Sequence, residues 1–478
     1  MKSLKQTLLL FFIIVVEGYV VLSSELLAIR QTIPYVGSGT DTISIIIAAV
    51  LMPLAFGYQS GGAFKPHKIF GVFVTVRKKL ILNINIAAII LLIGLSYKSM
   101  QWFFGWLPQI GIDNRLMQTS IYCMLFLVIP VYLLGQTVPL ITNFFSKQHL
   151  PRVTGKILFF STVGSFFGAV FSTLFLMAII GVHHTVSLNF VLMAILVIAL
   201  SKKTVSVPVM YAVVIAGCAM LFNSDGIMSG DNIIKNNQYN TIQAGETSRG
   251  TREMVINGNR SSSYDALGRK HAYVEFAERV AIFPIISSVP PRDILVIGAG
   301  AFTFGHEDKN NNYTYVDIDK DLQEVAEDYV LREPIGDNKK FVPKPARAFL
   351  HETDQKYDVI YLDTYLGGVS IPEHLITQEY FKSVKAHLKD GGLLVTNFIS
   401  SSNFQSKLSR NLDNTFRSVF PHYSRHVVSE QYNLWSDSAS RISNIAYIYR
   451  HHDTYDAGHI YTDNKNTVFY DKPKKLKP

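Results

Sequence analysis

Residues 293–305 read Asp-Ile-Leu-Val-Ile-Gly-Ala-Gly-Ala-Phe-Thr-Phe-Gly, and residues 313–319 read Tyr-Thr-Tyr-Val-Asp-Ile-Asp. An apolar run at 294–297 ends in Gly298-Ala299-Gly300, and about twenty residues later a second apolar run ends in Asp317. In a parallel α/β sheet this spacing sets a glycine turn beside a carboxylate at the strand C-termini, where nucleosides bind. Gly298 and Gly300 let the backbone approach the ligand, and Asp317 accepts hydrogen bonds from ribose hydroxyls. A Gly-x-Gly turn alone also serves any tight strand–helix connection. The acidic strand end at this interval favours the nucleoside reading.

Working outward, the 478 residues divide by polarity. Residues 1–223 hold four acids (Glu17, Glu25, Asp41, Asp113) against 15 Lys and Arg, a balance of +11. Residues 224–478 hold 32 acids against 30 bases, a balance of −2. The basic pI therefore does not point to nucleic acid: the positive charge lies between apolar spans, as membrane topology requires. Cys123 and Cys218 both sit in apolar runs, so no disulfide framework and no Cys/His metal spacing is read, and no metal is expected.

About 20 apolar residues cross a bilayer as a helix. Seven spans are predicted, at 7–29, 42–61, 80–98, 116–142, 155–180, 184–201 and 204–222, with 99–112 as an amphipathic interfacial stretch. The first is too long, and carries Glu17 and Glu25, for a cleaved signal peptide. Twelve Lys and Arg lie in the N-terminus and alternate loops, Lys78, Lys156 and Lys203 among them, against Arg30, Lys98 and Arg115 in the others. This predicts a multi-pass protein of a bacterial-type inner membrane, N-terminus in the cytoplasm. Seven spans then put the second half outside, whereas nucleoside chemistry argues for the cytoplasm, and both readings stay open. Glu17 and Glu25 stand about 80° and 12 Å apart on one helix. Glu17 is a candidate amine-binding residue, with a hydrogen-bonded packing role as its alternative. Gly164 and Gly168 form a small-xxx-small pair suited to tight helix packing.

The predicted organisation is a multispan α-helical membrane bundle (1–223), a linker (224–238), a small β-hairpin and helix subdomain (239–290), a Rossmann-like doubly wound sheet (291–450) and a tail (451–478), basic and disordered over 472–478. Short runs broken by Gly245, Gly250, Gly258 and Gly268 mark the hairpins, and 273–283 has helical periodicity. Strands at 293–297, 313–317, 357–362 and 392–397 alternate with helices at 320–331 and 376–388, and 444–449 reads as a late edge strand. The third strand ends in Leu362-Asp363-Thr364-Tyr365, before Gly367-Gly368. Asp363 is placed to take a proton from a substrate amine, with a helix cap or loop carboxylate as the alternative.

The chain resembles the polyamine aminopropyltransferases (spermidine and spermine synthases). More closely, it is similar to a bacterial subgroup that fuses a multispan membrane region to a spermidine-synthase-like domain. The segments carrying this are Glu25-Leu26-Leu27-Ala28-Ile29-Arg30, Tyr239-Asn240-x-Ile242, Ile256-Asn257-Gly258 and Tyr273-Val274-Glu275. Later come Ile371-Pro372-Glu373-His374-Leu375 and Leu388-Lys389-Asp390-Gly391-Gly392, which runs on to Asn397. The resemblance implies decarboxylated S-adenosylmethionine as co-substrate, an amine (polyamine) acceptor, Asp363 as base and Tyr273 holding the amine. Asp317 would take the ribose and Asn240 the donor, with Glu275 and Tyr365 near the acceptor; a homodimer is allowed. Tyr273 and Glu275 have plain alternatives, a core tyrosine and a helix-surface acid. Three acids usual in the family are replaced here by Ala301, Pro345 and Leu366. A methyltransferase using S-adenosylmethionine and a non-catalytic amine or nucleoside sensor or transporter remain the competing readings.

Overall fold

The computed structural model describes residues 4–69, 72–144, 150–365, 371–428 and 442–452. Leu366, the Gly367-Gly368 pair and the 472–478 tail lie outside these. The first half is helical: α1 (Leu4–Val36), α2 (Thr40–Ala63), α3 (Val76–Leu95), α4 (Tyr97–Trp106), α5 (Arg115–Phe126), α6 (Val128–Gly135), α7 (Thr137–Thr142), α8 (Leu150–Phe171), α9 (Met177–Ile179), α10 (Gly181–Leu200) and α11 (Val207–Phe222). A hairpin, β1 (His67–Ile69) and β2 (Val72–Val74), joins α2 to α3.

Among the described residues six helices are long and apolar enough to cross a membrane, or seven if a bent pair counts as one span. That pair is the segment read as a single span at 116–142, two rods bent by 41°. Pro130 cannot donate to Phe126, so the helical ladder breaks at Leu127. Successive rods reverse direction, so the ends of α1, α3 and α8–α9 gather at the end that carries the second half. Contacts fix this: Gln31 Nε2 donates to the Leu95 carbonyl (3.0 Å), Arg30 Nε donates to the Asn237 carbonyl (2.8 Å) and Lys98 pairs with Asp231 (2.5 Å). Small residues let α1 and α8 touch. A Cβ at Gly164 would lie 2.1 Å from the Val15 carbonyl oxygen, and one at Gly168 would lie 2.3 Å from that of Tyr19.

The expected linker at 224–238 is ordered structure: α12 (Asp225–Gly230) and β3 (Ile233–Asn236). β3 opens an antiparallel sheet with β4 (Thr241–Glu246), β5 (Arg252–Ile256) and β6 (Asn259–Tyr264), in the order β3-β4-β5-β6. The hairpin subdomain thus begins six residues earlier than 239. α13 (Ala272–Ala281) follows, then β7 (Asp293–Ile297), β8 (Asn312–Asp317), α14 (Leu322–Val325), β9 (Lys339–Pro343), α15 (Ala346–Glu352), β10 (Tyr357–Leu362), α16 (Gln378–Ala386), β11 (Leu388–Ser401), α17 (Lys407–Arg417), β12 (Ser424–Val428) and β13 (Ile442–Arg450).

The large sheet is mixed, in the order β12-β13-β11-β10-β7-β8-β9, and β13 alone runs against the others, antiparallel to both β11 and β12. β13 is therefore an inner strand, not the edge expected for 444–449. β9 and β12 escaped the sequence reading because Lys-Lys-Phe-Val-Pro and Ser-Arg-His-Val-Val offer two apolar residues each. β7 is buried on both faces, Ile294 and Val296 in one core and Leu295 and Ile297 in the other. Strand order reverses between β7 and β10, which opens a crevice at their C-terminal ends.

Candidate functional site

The crevice is a cavity of about 590 Å³. Gly298 stands at φ +92°, and a Cβ there would lie 2.1 Å from the Asp363 carbonyl oxygen. Only glycine lets the β7 turn pass under the end of β10. The two strand ends are also tied directly, since Asp363 N donates to the Ile297 carbonyl (2.9 Å). Gly300, at φ +50°, packs toward Ser261 and Ser262 of β6, so the small sheet closes over the turn.

Asp317 ends β8 beside this turn. Its carboxylate accepts from Ala299 N and Asp319 N, each at 3.1 Å. Burial pushes its pKa up to about 6 against the opposing pull of those amides. Asp363 accepts from the Tyr361 hydroxyl (2.9 Å) and Asn397 Nδ2 (3.0 Å), and the Asn397 amide also donates to Asn444 Oδ1 (2.9 Å). Burial raises the Asp363 carboxyl above its ordinary range, while hydrogen bonds from Asn397 and Tyr361 and the charge of His271 oppose the rise. A carboxylate made more basic in this way is suited to accepting a proton.

Three polar atoms of lining residues are buried with no hydrogen-bond partner: the Tyr273 hydroxyl, Asn397 Oδ1 and Gln238 Oε1. Each can accept a hydrogen bond, and two of them only accept. A ligand bearing N–H groups satisfies them, which is the fit expected for an amine and for an aminated nucleoside donor.

Of the residues singled out from sequence, Gly298, Gly300, Asp317, Asp363, Tyr273, Asn240 and Tyr365 all line this cavity. Tyr365 is tied to β11, donating to the Asn397 carbonyl (3.1 Å) and accepting from Ile399 N (2.7 Å). Asn240 donates to Asp319 (2.8 Å) and accepts from Asn257 (2.8 Å), so its amide braces the acidic loop after β8. Glu275 is not at the cavity: in the first turn of α13 its carboxylate accepts from Lys270 N (3.0 Å). Glu17 is not there either. It is buried in the helical half, about 24 Å along α1 from Ile33, the α1 residue that reaches the cavity.

Pro345 lines the cavity at the start of α15, whereas Ala301 is buried in the core behind the turn, its N–H given to Ser262 Oγ (2.9 Å). Residues missed from sequence are Asn397, Asn444, His271, Gln238 and Ile33. Asn397 had a signal, a polar residue closing the apolar run of β11. Ile33 had none, because its role depends on how the two halves dock. The structure also gathers His183, His184 and Asp225, where no metal-ligand pattern was read. Both Nε2 atoms stand 3.0–3.1 Å from Asp225 Oδ1, and none of the three residues lines the cavity.

Residues 274–436 match the spermine/spermidine synthase domain. The chain is 32% identical over 130 residues to a probable polyamine aminopropyl transferase of Bifidobacterium longum, covering 26% of this chain and 28% of that one. It is 29% identical over 160 residues to a polyamine aminopropyltransferase of Vibrio vulnificus, covering 32% and 52% respectively. It thus spans about half or less of the length of these curated relatives. A probable spermidine synthase of Corynebacterium glutamicum superposes with a TM-score of 0.38 at 20% identity, over 46% of this chain and 81% of that one.

Proposed function

We propose that this chain, whose residues 274–436 match the spermine/spermidine synthase domain, is a membrane-held transferase that moves an aminopropyl group from decarboxylated S-adenosylmethionine to an amine. The observation that carries this reading is the convergence of Asp317, the glycine turn and the half-buried Asp363 on one cavity with unpaired hydrogen-bond acceptors. In the reaction, the amine nitrogen attacks the methylene next to the sulfonium. The N–C bond forms as the C–S bond breaks, the electron pair stays on sulfur as a neutral thioether, and the amine proton passes to Asp363. The protein need only hold donor and amine in line and take the proton. Tyr273 and Asn397 orient the amine, Asp317 takes the ribose, and Asn240 acts indirectly by bracing Asp319.

The helical half is the anchor, with the soluble half opposite the basic loops. Arg30 and Lys98, two of the three Lys and Arg at this end, bond to Asn237 and Asp231, and the third, Arg115, pairs with Asp41. The positive-inside rule then assigns the transferase half to the extracytoplasmic side.

The test compares two variants of the full-length protein. Asp363→Asn is nearly isosteric but cannot accept the ammonium proton, so turnover falls about 10²–10⁴-fold with donor affinity kept. Asp317→Asn does the reverse, weakening donor binding because an amide is the poorer acceptor. Unchanged turnover in Asp363→Asn removes that residue from the role of base.

A further inference from the structure

A second cavity, of about 710 Å³, abuts the first. Ile33, Pro372, His374 and Ile399 line both. Its remaining wall is mostly apolar, with Pro34, Tyr35 and Val36 from the end of α1 and Leu408 and Leu412 from α17. Leu408 is 46% exposed. The cavity therefore lies where the apolar rod α1 ends and α2 begins. At the same end α4 exposes Trp102 and Trp106, stacked at 5.9 Å, the residue type that anchors at the membrane–water interface. With these rods across a bilayer, an apolar chamber at that level would meet hydrocarbon on one side, and it shares lining residues with the first cavity on the other.

Charge limits what the first cavity accepts. Among its described lining residues the acids are Asp317 and Asp363, beside Arg260, His271 and His374. Asp317 is engaged by the amides of Ala299 and Asp319, which leaves one carboxylate for an ammonium group. In the second cavity Glu373 accepts from Thr40 N and Oγ1 at 3.4 and 3.3 Å, with Arg115 also in the wall. A chain of several ammonium groups would meet apolar surface beyond its first nitrogen, at a high desolvation cost. A hydrocarbon chain gains from the same surface.

We propose that the site takes a primary amine carrying a hydrocarbon tail, its nitrogen at Asp363 and its tail in the second cavity, entering from the bilayer. The assignment of this amine as the aminopropyl acceptor rests on the transferase reading, and the step is the one balanced above. The test uses full-length protein in nonionic detergent and n-alkylamines from butylamine to dodecylamine. Dissociation constants are compared for the unaltered chain, Leu408→Asp and Leu408→Met. The variant-to-parent ratio cancels partition of the amines into micelles, and equal donor affinity in all three proteins checks the fold.

The ratio for Leu408→Asp is expected near one for butylamine and at least tenfold for dodecylamine, with Leu408→Met flat. A ratio independent of chain length overturns the proposal, and so does tighter binding of 1,4-diaminobutane than of any alkylamine. Mass spectrometry of the same mixtures with donor separates the two claims. Tail-dependent binding without an aminopropylated product sinks the transferase reading and keeps the tail site. Product from diamines alone does the opposite.

Discussion

Asp317 and Asp363 are both carboxylates at strand ends, and their surroundings give them different work. Asp317 is fastened by two backbone amides and faces the turn, a fixed acceptor. Asp363 is held by a tyrosine hydroxyl and an asparagine amide, neutral donors that orient it without neutralising it. The Asp317 pKa of about 6 has a consequence for pH. Below it the carboxyl is protonated and offers ribose hydroxyls a weaker acceptor; above it the anion is present. Donor affinity should therefore rise as pH increases from 5 to 7, while in Asp317→Asn the affinity should be low and flat over that range. Calorimetry on the full-length protein measures this, and a parent profile as flat as the variant's would remove Asp317 from the donor site.

At the scale of elements, the glycines of α8 make a firm forecast. The Cβ clash at Gly164 is with backbone, so no rotamer relieves it, and α1 is the rod that carries Arg30 and Ile33 to the second half. Gly164→Val should destabilise the protein by more than about 2 kcal/mol, seen as a lowered unfolding midpoint in detergent. An unchanged midpoint would mean that the two rods do not pack this way. What could be read in advance follows the strength of local pattern. β7 and β10 are near-continuous apolar runs, and their ends were legible to the residue. β9 and β12 are short and polar and depend on neighbours for their place, so nothing local announced them. The same holds at the site. Gly298, Gly300, Asp317 and Asp363 carry a spacing signal along the chain. Glu275 carried only a resemblance, and the structure turns it to Lys270 N, because a position in the first turn of a helix rewards an acid that meets free amides. Tyr273 was named through the resemblance alone, and Asn397 meets Asp363 only because β10 pairs with β11.

The whole molecule is two halves joined through side chains rather than by a tether. Arg30 reaches Asn237, and Asn237 in turn donates to Asp319 (2.8 Å) and Asp321 (2.6 Å), in the loop that follows Asp317. The helical half thus forms part of the site's support, and function belongs to the full chain. Its charge asymmetry predicts reporter fusions after Lys78, Lys156 and Lys203 on the cytoplasmic side and a fusion after Asp225 outside. An inside signal after Asp225, with the other three as stated, would mean that one rod, most simply the bent α5–α7 segment, does not cross. The most direct test of the central claim is chemical. Purified full-length protein is incubated with decarboxylated S-adenosylmethionine or S-adenosylmethionine and a panel of amines, and the products are weighed by mass spectrometry. The account predicts an aminopropyl adduct of the amine, with the thioether nucleoside released in equal amount, from the decarboxylated donor only. Methyl transfer from S-adenosylmethionine, or donor binding with no product from any amine, would contradict it.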